Sequence, residues 1–230
     1  MYKIFSNLIT VESSTNLCSI KSGHDKHIKM ARDTTETLTQ YELKAPVAEI
    51  PSPPPPLKIL FLSSDTGGGH RASAESLAAQ FLTHYPNSTY QILDICKDLA
   101  SPPFSRLESW YSHLSSHPSQ WNMLYKVSNM PTVESILAFH FQITLERKVR
   151  SKIQSLNPDV VISVHPLMNL VPTVSCHKIS SETGRHLPMF TVVTDLGSGH
   201  CTWFEKGVEK MFIASEQIRQ VRAMYNQYQC

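Results

Sequence analysis

Three glycines followed by a histidine form the stretch with the clearest chemical potential. Gly67, Gly68 and Gly69 precede His70, and a helical pattern begins directly after them. Glycines at such a turn let the backbone bend tightly and expose N–H groups at the positive end of the helix. Because the helix dipole disfavours an imidazolium there, we expect a lowered pKa for His70, whose neutral ring would serve as a general base. The alternative is a histidine that only caps the helix.

The glycine stretch matches neither of the common nucleotide-binding loops. A Walker loop requires GxxxxGK[ST], which is absent, and the GxGxxG fingerprint fails at its third glycine, where Ala72 stands. The sequence therefore indicates a dinucleotide site only weakly.

Two further polar residues follow apolar runs and point to the same place. His165 ends one run and Asp195 another, and the carboxyl ends of parallel strands share one edge of a sheet, where ligands bind. Asp195 would orient a histidine or bind a substrate hydroxyl, unless it is an ordinary turn aspartate. His165 would line the same crevice, unless the backbone satisfies its ring. His200 and Cys201 have no second ligand pair at metal spacing, so we predict no metal site.

The elements that must position these residues alternate between strand and helix. Short apolar strands alternating with helices predict an α/β domain, with a Rossmann-like parallel sheet and helices on both faces. The predicted strands are 57–62, 90–95, 160–164, 189–194 and 210–214. The predicted helices are 71–85, 132–156 and 215–227.

Residues 96–131 interrupt this rhythm. The segment is rich in Ser and Pro, and it carries Trp110 and Trp121. Its aromatic rings would either pack on the sheet as core or settle among lipid headgroups at a membrane interface. The basic cluster at 147–152 has two readings as well, since cations are favoured at a helix C-terminus and near anionic lipid.

The first 56 residues differ from the rest and predict a tail. They end in the proline-rich run 51–56, which favours an extended polyproline II spacer. Residues 1–23 are compatible with an organelle transit peptide, although they lack arginine, and a disordered tail fits equally well. We therefore expect one folded domain over residues 57–230.

Composition excludes several classes of protein. The net charge of +2 gives no case for nucleic-acid binding by bulk charge. No run approaches 18 apolar residues, so any membrane contact is expected to be peripheral. The five cysteines are odd in number and widely spaced, which favours a reducing compartment over a disulfide framework.

Four stretches together resemble the monogalactosyldiacylglycerol synthases. They are residues 63–75, 158–168, 191–196 and 202–204, in the right order along the chain. Bacterial diacylglycerol glucosyltransferases, and a peptidoglycan glycosyltransferase with a similar glycine-histidine loop, are more distant relatives. The resemblance implies a two-domain GT-B glycosyltransferase, of which residues 57–230 would form the N-terminal, acceptor-binding half. The C-terminal domain that holds the donor would then be missing from this chain.

The resemblance also implies an activity. The family transfers galactose from UDP-galactose to the free hydroxyl of diacylglycerol with inversion, and the residue matching His70 is the expected general base. The glycine loop, His165 and Asp195 would then bind the acceptor. No resident cofactor or metal is implied, while UDP-galactose is a co-substrate and anionic lipid an activator.

Membrane contact is implied by the same resemblance. The predicted lipid contacts are Pro102, Pro103, Trp110, Trp121 and Trp203. From the residues alone, Trp203 is more simply explained as part of the core. The family sits on plastid envelope membranes as peripheral proteins, which gives the expected location. Two alternatives stay open: a fragment of a diacylglycerol glucosyltransferase, and a lipid-binding module without catalysis. We expect the chain to be inactive by itself, because half of the cleft would be absent.

Overall fold

The computed structural model describes residues 9–11, 54–66, 68–197 and 199–228 of the chain. The predicted α/β class with a Rossmann-like sheet is confirmed. The strands are β1 Ile9–Val11, β2 Lys58–Leu62, β3 Thr89–Leu93, β4 Val160–Ser163, β5 Met189–Val193 and β6 Lys210–Ile213. The α-helices are α1 Gly69–His84, α2 Ile95–Leu99, α3 Leu107–Ser115, α4 Pro118–Ser128, α5 Pro131–Leu156, α6 Leu170–Thr183 and α7 Glu216–Tyr228. Short 3-10 helices cover Phe104–Arg106, Pro166–Met168 and Cys201–Trp203.

The strands form one sheet in the order β1-β6-β5-β4-β2-β3. The strands β2 to β6 pair in parallel, and β1 pairs antiparallel with β6 at one edge. The strand order reverses at β2, which pairs with β3 on one side and with β4 on the other. In open α/β sheets, ligands bind outside the carboxyl ends of the strands at such a switch point. The fold therefore predicts a site where β2 and β4 end.

The sheet is covered on both faces, as its apolar strands require. Leu60 and Leu62 of β2 pack on one face with buried residues of α2, α5 and α6. Ile59 and Phe61 point to the other face, where α1 contributes Phe81 and two buried alanines. Because successive side chains alternate between the two faces, four adjacent residues of β2 are all buried. This anchoring holds the loop that follows β2 in place.

Two features of the structure were not predicted. The segment 96–131, which interrupts the alternation of strands and helices, is itself largely helical: it contains α3 and α4 and most of α2. Residues 9–11, which fall in the predicted tail, form an edge strand that gives β6 a backbone partner. The rest of the predicted tail up to residue 53 lies outside the described residues, and its boundary at 56 stays a prediction. None of the described helices is long and apolar enough to cross a membrane.

Candidate active site

The glycine loop leads from β2 into α1 at the switch point of the sheet. Gly67 lies outside the described residues, while Gly68 caps α1 and Gly69 begins it. Gly68 has a φ of 73°, in the left-handed region that side-chain-bearing residues rarely adopt. No heavy atom lies within 4 Å of the place where a Cβ on Gly68 would stand. Glycine is therefore favoured at 68 by the backbone conformation, and the space beside it stays open.

His70 is held by groups from the ends of β4 and β5. Its Nδ1 lies 2.9 Å from the carbonyl oxygen of Val164 and 2.8 Å from Oγ1 of Thr194. A carbonyl only accepts hydrogen bonds, so Nδ1 carries the proton and donates it. Among the residues that the structure describes, Nε2 has no hydrogen-bond partner. The neutral ring therefore presents an unprotonated nitrogen that can accept a proton.

Two opposing influences set the proton affinity of this ring. Burial lowers the pKa of His70, while the charge of Asp195 and the hydrogen bond to Val164 act to raise it. The predicted direction is confirmed, with burial as the largest cause in place of the helix dipole. The ring is thus neutral before a reaction, and the nearby carboxylate favours the imidazolium that forms once a proton is taken.

His165 lies against His70 but has a different role. The two ring centroids are 4.6 Å apart in an edge-on arrangement. Nδ1 of His165 accepts from the backbone N–H of Leu167, so Nε2 carries the proton and donates to Oγ1 of Thr66 at 2.9 Å. Burial, with the neighbouring His70, lowers the pKa of His165 to about 3. His165 is therefore a neutral anchor for the start of the glycine loop.

Asp195 is fixed by a tryptophan. Nε1 of Trp203 donates to Oδ2 of Asp195 at 2.6 Å, and the Trp203 ring lies 6.1 Å from the ring of His70. The predicted trio of His70, His165 and Asp195 is thus brought together at one edge of the sheet. Thr66, Thr194 and Trp203 complete the cluster, although sequence reasoning gave these three residues no part in it. Their sequence signals were the position of Thr66 and Thr194 directly beside predicted residues and the inclusion of Trp203 among the predicted lipid contacts.

The loop after β5 is also tied to α4. His200 accepts from the backbone N–H of Thr202 at Nδ1, and its Nε2 donates to Oγ of Ser128 at 2.9 Å. The backbone N–H of Cys201 donates to the side chain of Asn129 at 3.0 Å. These contacts occupy His200, and burial raises the pKa of the Cys201 thiol to about 12. Within the described ranges, no group of three or more His, Cys, Asp or Glu residues is placed to hold a metal ion.

Comparison with known proteins places this cluster in a family. A family model described as "Monogalactosyldiacylglycerol (MGDG) synthase" matches residues 70–224. The chain belongs to the MGDG synthase family. The matched residues begin at His70 and include His165, Asp195 and Trp203, while the three glycines lie just before them.

Two relatives show the extent of the likeness. "Monogalactosyldiacylglycerol synthase, chloroplastic" of Spinacia oleracea is 33% identical over 181 residues, covering 77% of this chain and 34% of the relative. "Monogalactosyldiacylglycerol synthase 1, chloroplastic" of Arabidopsis thaliana is 34% identical over 167 residues, covering 71% of this chain and 30% of the relative. The chain thus spans about a third of the length of the curated relatives it matches.

The residues predicted to contact lipid in this MGDG synthase family member fall into two groups. Pro102 and Pro103 are exposed, and Trp110 and Trp121 are 54% and 40% exposed. They stay predictions of membrane contact. Trp203 needs correction, because its side chain is fully buried and its indole N–H is bound to Asp195. Its role is to pack beside the histidines.

A larger apolar surface escaped the sequence analysis. On the first half of α5, Ile136, Phe139 and Ile143 are each more than 60% exposed. Their spacing of three and four residues places them on one face of the helix. That periodicity could have been found in the sequence, but it is also typical of a helix face that packs on the core. The sequence does not reveal which side of a helix meets the core. Other exposed apolar residues near in sequence are Met123, Leu124, Val127 and Met130.

Proposed function

We propose that the protein is the N-terminal, acceptor-binding part of a galactosyltransferase that makes monogalactosyldiacylglycerol from UDP-galactose and 1,2-diacylglycerol. One observation carries the proposal: a neutral His70, with its Nδ1 proton committed to Val164, leaves Nε2 available at the switch point of the sheet. The family match covers this residue.

The reaction needs one proton transfer and one displacement. Nε2 of His70 takes the proton from the free hydroxyl of diacylglycerol, and the oxygen attacks the anomeric carbon of galactose. The bond from that carbon to UDP breaks, and UDP leaves with the electron pair. A single in-line displacement of this kind inverts the anomeric centre and forms no covalent intermediate with the enzyme.

The neighbours of His70 support each stage of this proton transfer. Asp195 favours the imidazolium produced, because its charge raises the pKa of His70. Trp203 holds that carboxylate in place by its 2.6 Å hydrogen bond. His165 has both ring nitrogens engaged, so we assign it to positioning the glycine loop through Thr66 rather than to binding the acceptor.

The acceptor is a lipid, and the exposed apolar residues of α3, α4 and α5 suit a membrane surface. Trp110, Trp121 and the stripe Ile136, Phe139 and Ile143 would enter the headgroup region of a plastid envelope membrane as a peripheral contact. Anionic lipid would act there as an activator. The loop after β5 is hydrogen-bonded to the end of α4, which connects this surface to the site.

The donor is assigned to a separate domain in this proposal. A C-terminal domain of the GT-B type would hold UDP-galactose, and closure of two such halves completes the cleft. UDP-galactose enters as a co-substrate, and the proposal includes no resident cofactor or metal.

A chimera tests the proposal. Residues 57–228 would replace the matching part of the spinach relative, and galactose transfer from radiolabelled UDP-galactose to diacylglycerol would be measured in anionic liposomes. We expect transfer by the chimera and a loss of about 10²- to 10⁴-fold on His70→Gln, as for removal of a general base. Glutamine keeps a neutral polar side chain of similar size at this position but has no imidazole nitrogen that could accept the proton.

The matched control is His84→Gln, since His84 is an exposed histidine at the far end of the same helix. Its transfer rate is expected to equal that of the parent chimera. If the transfer rate of His70→Gln stayed within tenfold of that of the parent chimera, the assignment of His70 as the general base would be wrong. The 230-residue chain, assayed alone in the same liposomes, is expected to give no transfer.

A further inference from the structure

Thr194 follows β5 directly, and the proton transfer described above leaves its hydroxyl without a role. Oγ1 of Thr194 lies 2.8 Å from Nδ1 of His70 and 3.4 Å from the carbonyl oxygen of Val164. Nδ1 of His70 lies 2.9 Å from that same carbonyl oxygen. The hydroxyl and the carbonyl therefore both meet the imidazole ring at its Nδ1 atom.

The carbonyl oxygen of Val164 determines which group donates in each of these contacts. Because a carbonyl only accepts, it receives the Nδ1 proton of His70 and the hydroxyl proton of Thr194. The hydroxyl proton is then directed away from the ring, so Oγ1 of Thr194 presents a lone pair to His70. The N–H of Nδ1 is thereby shared between two acceptors in a three-centre hydrogen bond.

The second acceptor matters most once His70 has taken a proton. A hydrogen bond from a charged donor is roughly twice as strong as one between neutral groups. The hydroxyl of Thr194 therefore stabilises the imidazolium more than it stabilises the neutral ring. Its effect on the pKa of His70 has the same direction as that of the hydrogen bond to Val164, which raises it.

Two acceptors also restrict the orientation of the His70 ring. One oxygen alone would let the imidazole tilt while the hydrogen bond was kept. Here the two oxygens belong to the residues that follow β4 and β5, and these strands pair in parallel. The sheet thus fixes the positions of both acceptors, and the direction in which Nε2 points is fixed with them.

We propose that Thr194 is a positioning residue for the general base: its hydroxyl orients the His70 ring and stabilises the imidazolium that forms when Nε2 accepts the proton of the lipid hydroxyl. This inference rests on the proposed function of His70 and adds a side chain to its machinery. An interaction that strengthens as charge develops acts on the chemical step. Loss of the Thr194 hydroxyl should therefore lower kcat and leave KM nearly unchanged.

The first measurement is an NMR titration of the His70 ring in the 230-residue chain, which requires no reaction. Thr194→Val exchanges the hydroxyl for a methyl group, and we expect it to lower the pKa of His70. Thr194→Ala should lower it as well, whereas Thr194→Ser should keep the parent pKa. The matched control is Thr173→Val, which removes a buried hydroxyl that donates to the backbone carbonyl of Asn169 at 2.7 Å. It should leave the pKa of His70 unchanged.

The second measurement is galactose transfer by the chimera described above. Thr194→Val should lower kcat about tenfold, as for the loss of one hydrogen bond, and Thr194→Ser should restore the rate. In a chimera that already carries His70→Gln, the same substitution should cause no further loss, because Thr194 acts through the ring that is missing.

Three results would overturn the positioning role of Thr194. The first is a His70 pKa that is the same in Thr194→Val and the parent chain. The second is a raised KM with an unchanged kcat, which would place Thr194 in contact with the lipid acceptor. The third is an equal loss of rate with and without His70→Gln, which would leave Thr194 a purely structural part. Retention of transfer by His70→Gln alone would instead refute the proposed base, while the titration would still report whether Thr194 binds the ring.

Discussion

Acid should destabilise the protein through His165, and the effect can be isolated by one substitution. His165 is 4% exposed, and burial lowers its pKa from an unfolded value of 6.5 to about 3. Below pH 6.5 the unfolded chain therefore binds a proton at this position that the folded chain does not bind. Because the unfolded state takes up more protons, the free energy of unfolding falls as the pH falls.

The size of the effect follows from these two pKa values. Between pH 7 and pH 5 the unfolded His165 becomes almost fully protonated, while the folded ring stays neutral. The stability that this residue contributes then declines by about 2 kcal/mol. Glu205 acts in the opposite direction, since burial and Glu134 raise its pKa to about 7. The total pH dependence of the wild-type chain is thus a poor readout of His165 alone.

The informative quantity is the difference between the wild type and His165→Gln in urea unfolding. At pH 7 the variant should be less stable, because it loses the imidazole that accepts from the backbone N–H of Leu167 and packs against His70. At pH 5 the difference should shrink by about 2 kcal/mol, because only the wild type carries the buried imidazole. His84→Gln controls for the loss of an exposed histidine. An equal difference at the two pH values would refute the reasoning.

Two further outcomes can be measured on the same chain. Trp203→Ala should lower the free energy of unfolding in urea by about 3–5 kcal/mol, as for a fully buried tryptophan. The control Trp110→Ala, at an exposed position, should change it by less than about 0.5 kcal/mol and reduce binding to anionic vesicles. Equal destabilisation by the two substitutions would contradict the burial of Trp203. Asp195→Asn should lower the pKa of His70 further, because an attractive charge is removed. An NMR titration of the His70 ring would measure this, with Asp159→Asn as control, and an unchanged pKa would contradict the proximity of the carboxylate.

The strands were predictable because a strand that is buried on both faces consists of consecutive apolar residues, which are visible in the sequence. Continuous apolar runs located β2, β4, β5 and β6 to within about one residue of their ends. The helices within 96–131 were missed because their serines, prolines and exposed aromatic residues weaken the usual periodicity. The helix α6 was missed for a related reason, since its buried side includes Pro172, Thr173 and Ser175, which weaken the apolar periodicity.

The sequence predicted which residues meet in the candidate site, but not the role of each residue there. Residues at the carboxyl ends of parallel strands must meet, so His70, His165 and Asp195 were expected together. Their roles depend on which hydrogen each ring nitrogen carries, and this is set by partners that sequence does not reveal. The carbonyl of Val164 determines the proton on His70, and the backbone N–H of Leu167 determines that on His165. Trp203 was misplaced for the same reason, since an aromatic ring suits both a core and a lipid surface.

The left-handed residues Asn87, Asn157 and Gly184 mark turns that lead into β3, β4 and β5 at the edge opposite the histidines. A short peptide tag or a fluorophore inserted in one of these turns would sit one strand length away from the chemistry. The protein could then be immobilised through a tag in one of these turns, or the distance from a fluorophore there to a labelled bilayer could be measured. Either probe would leave the edge of the sheet that carries the histidines unobstructed.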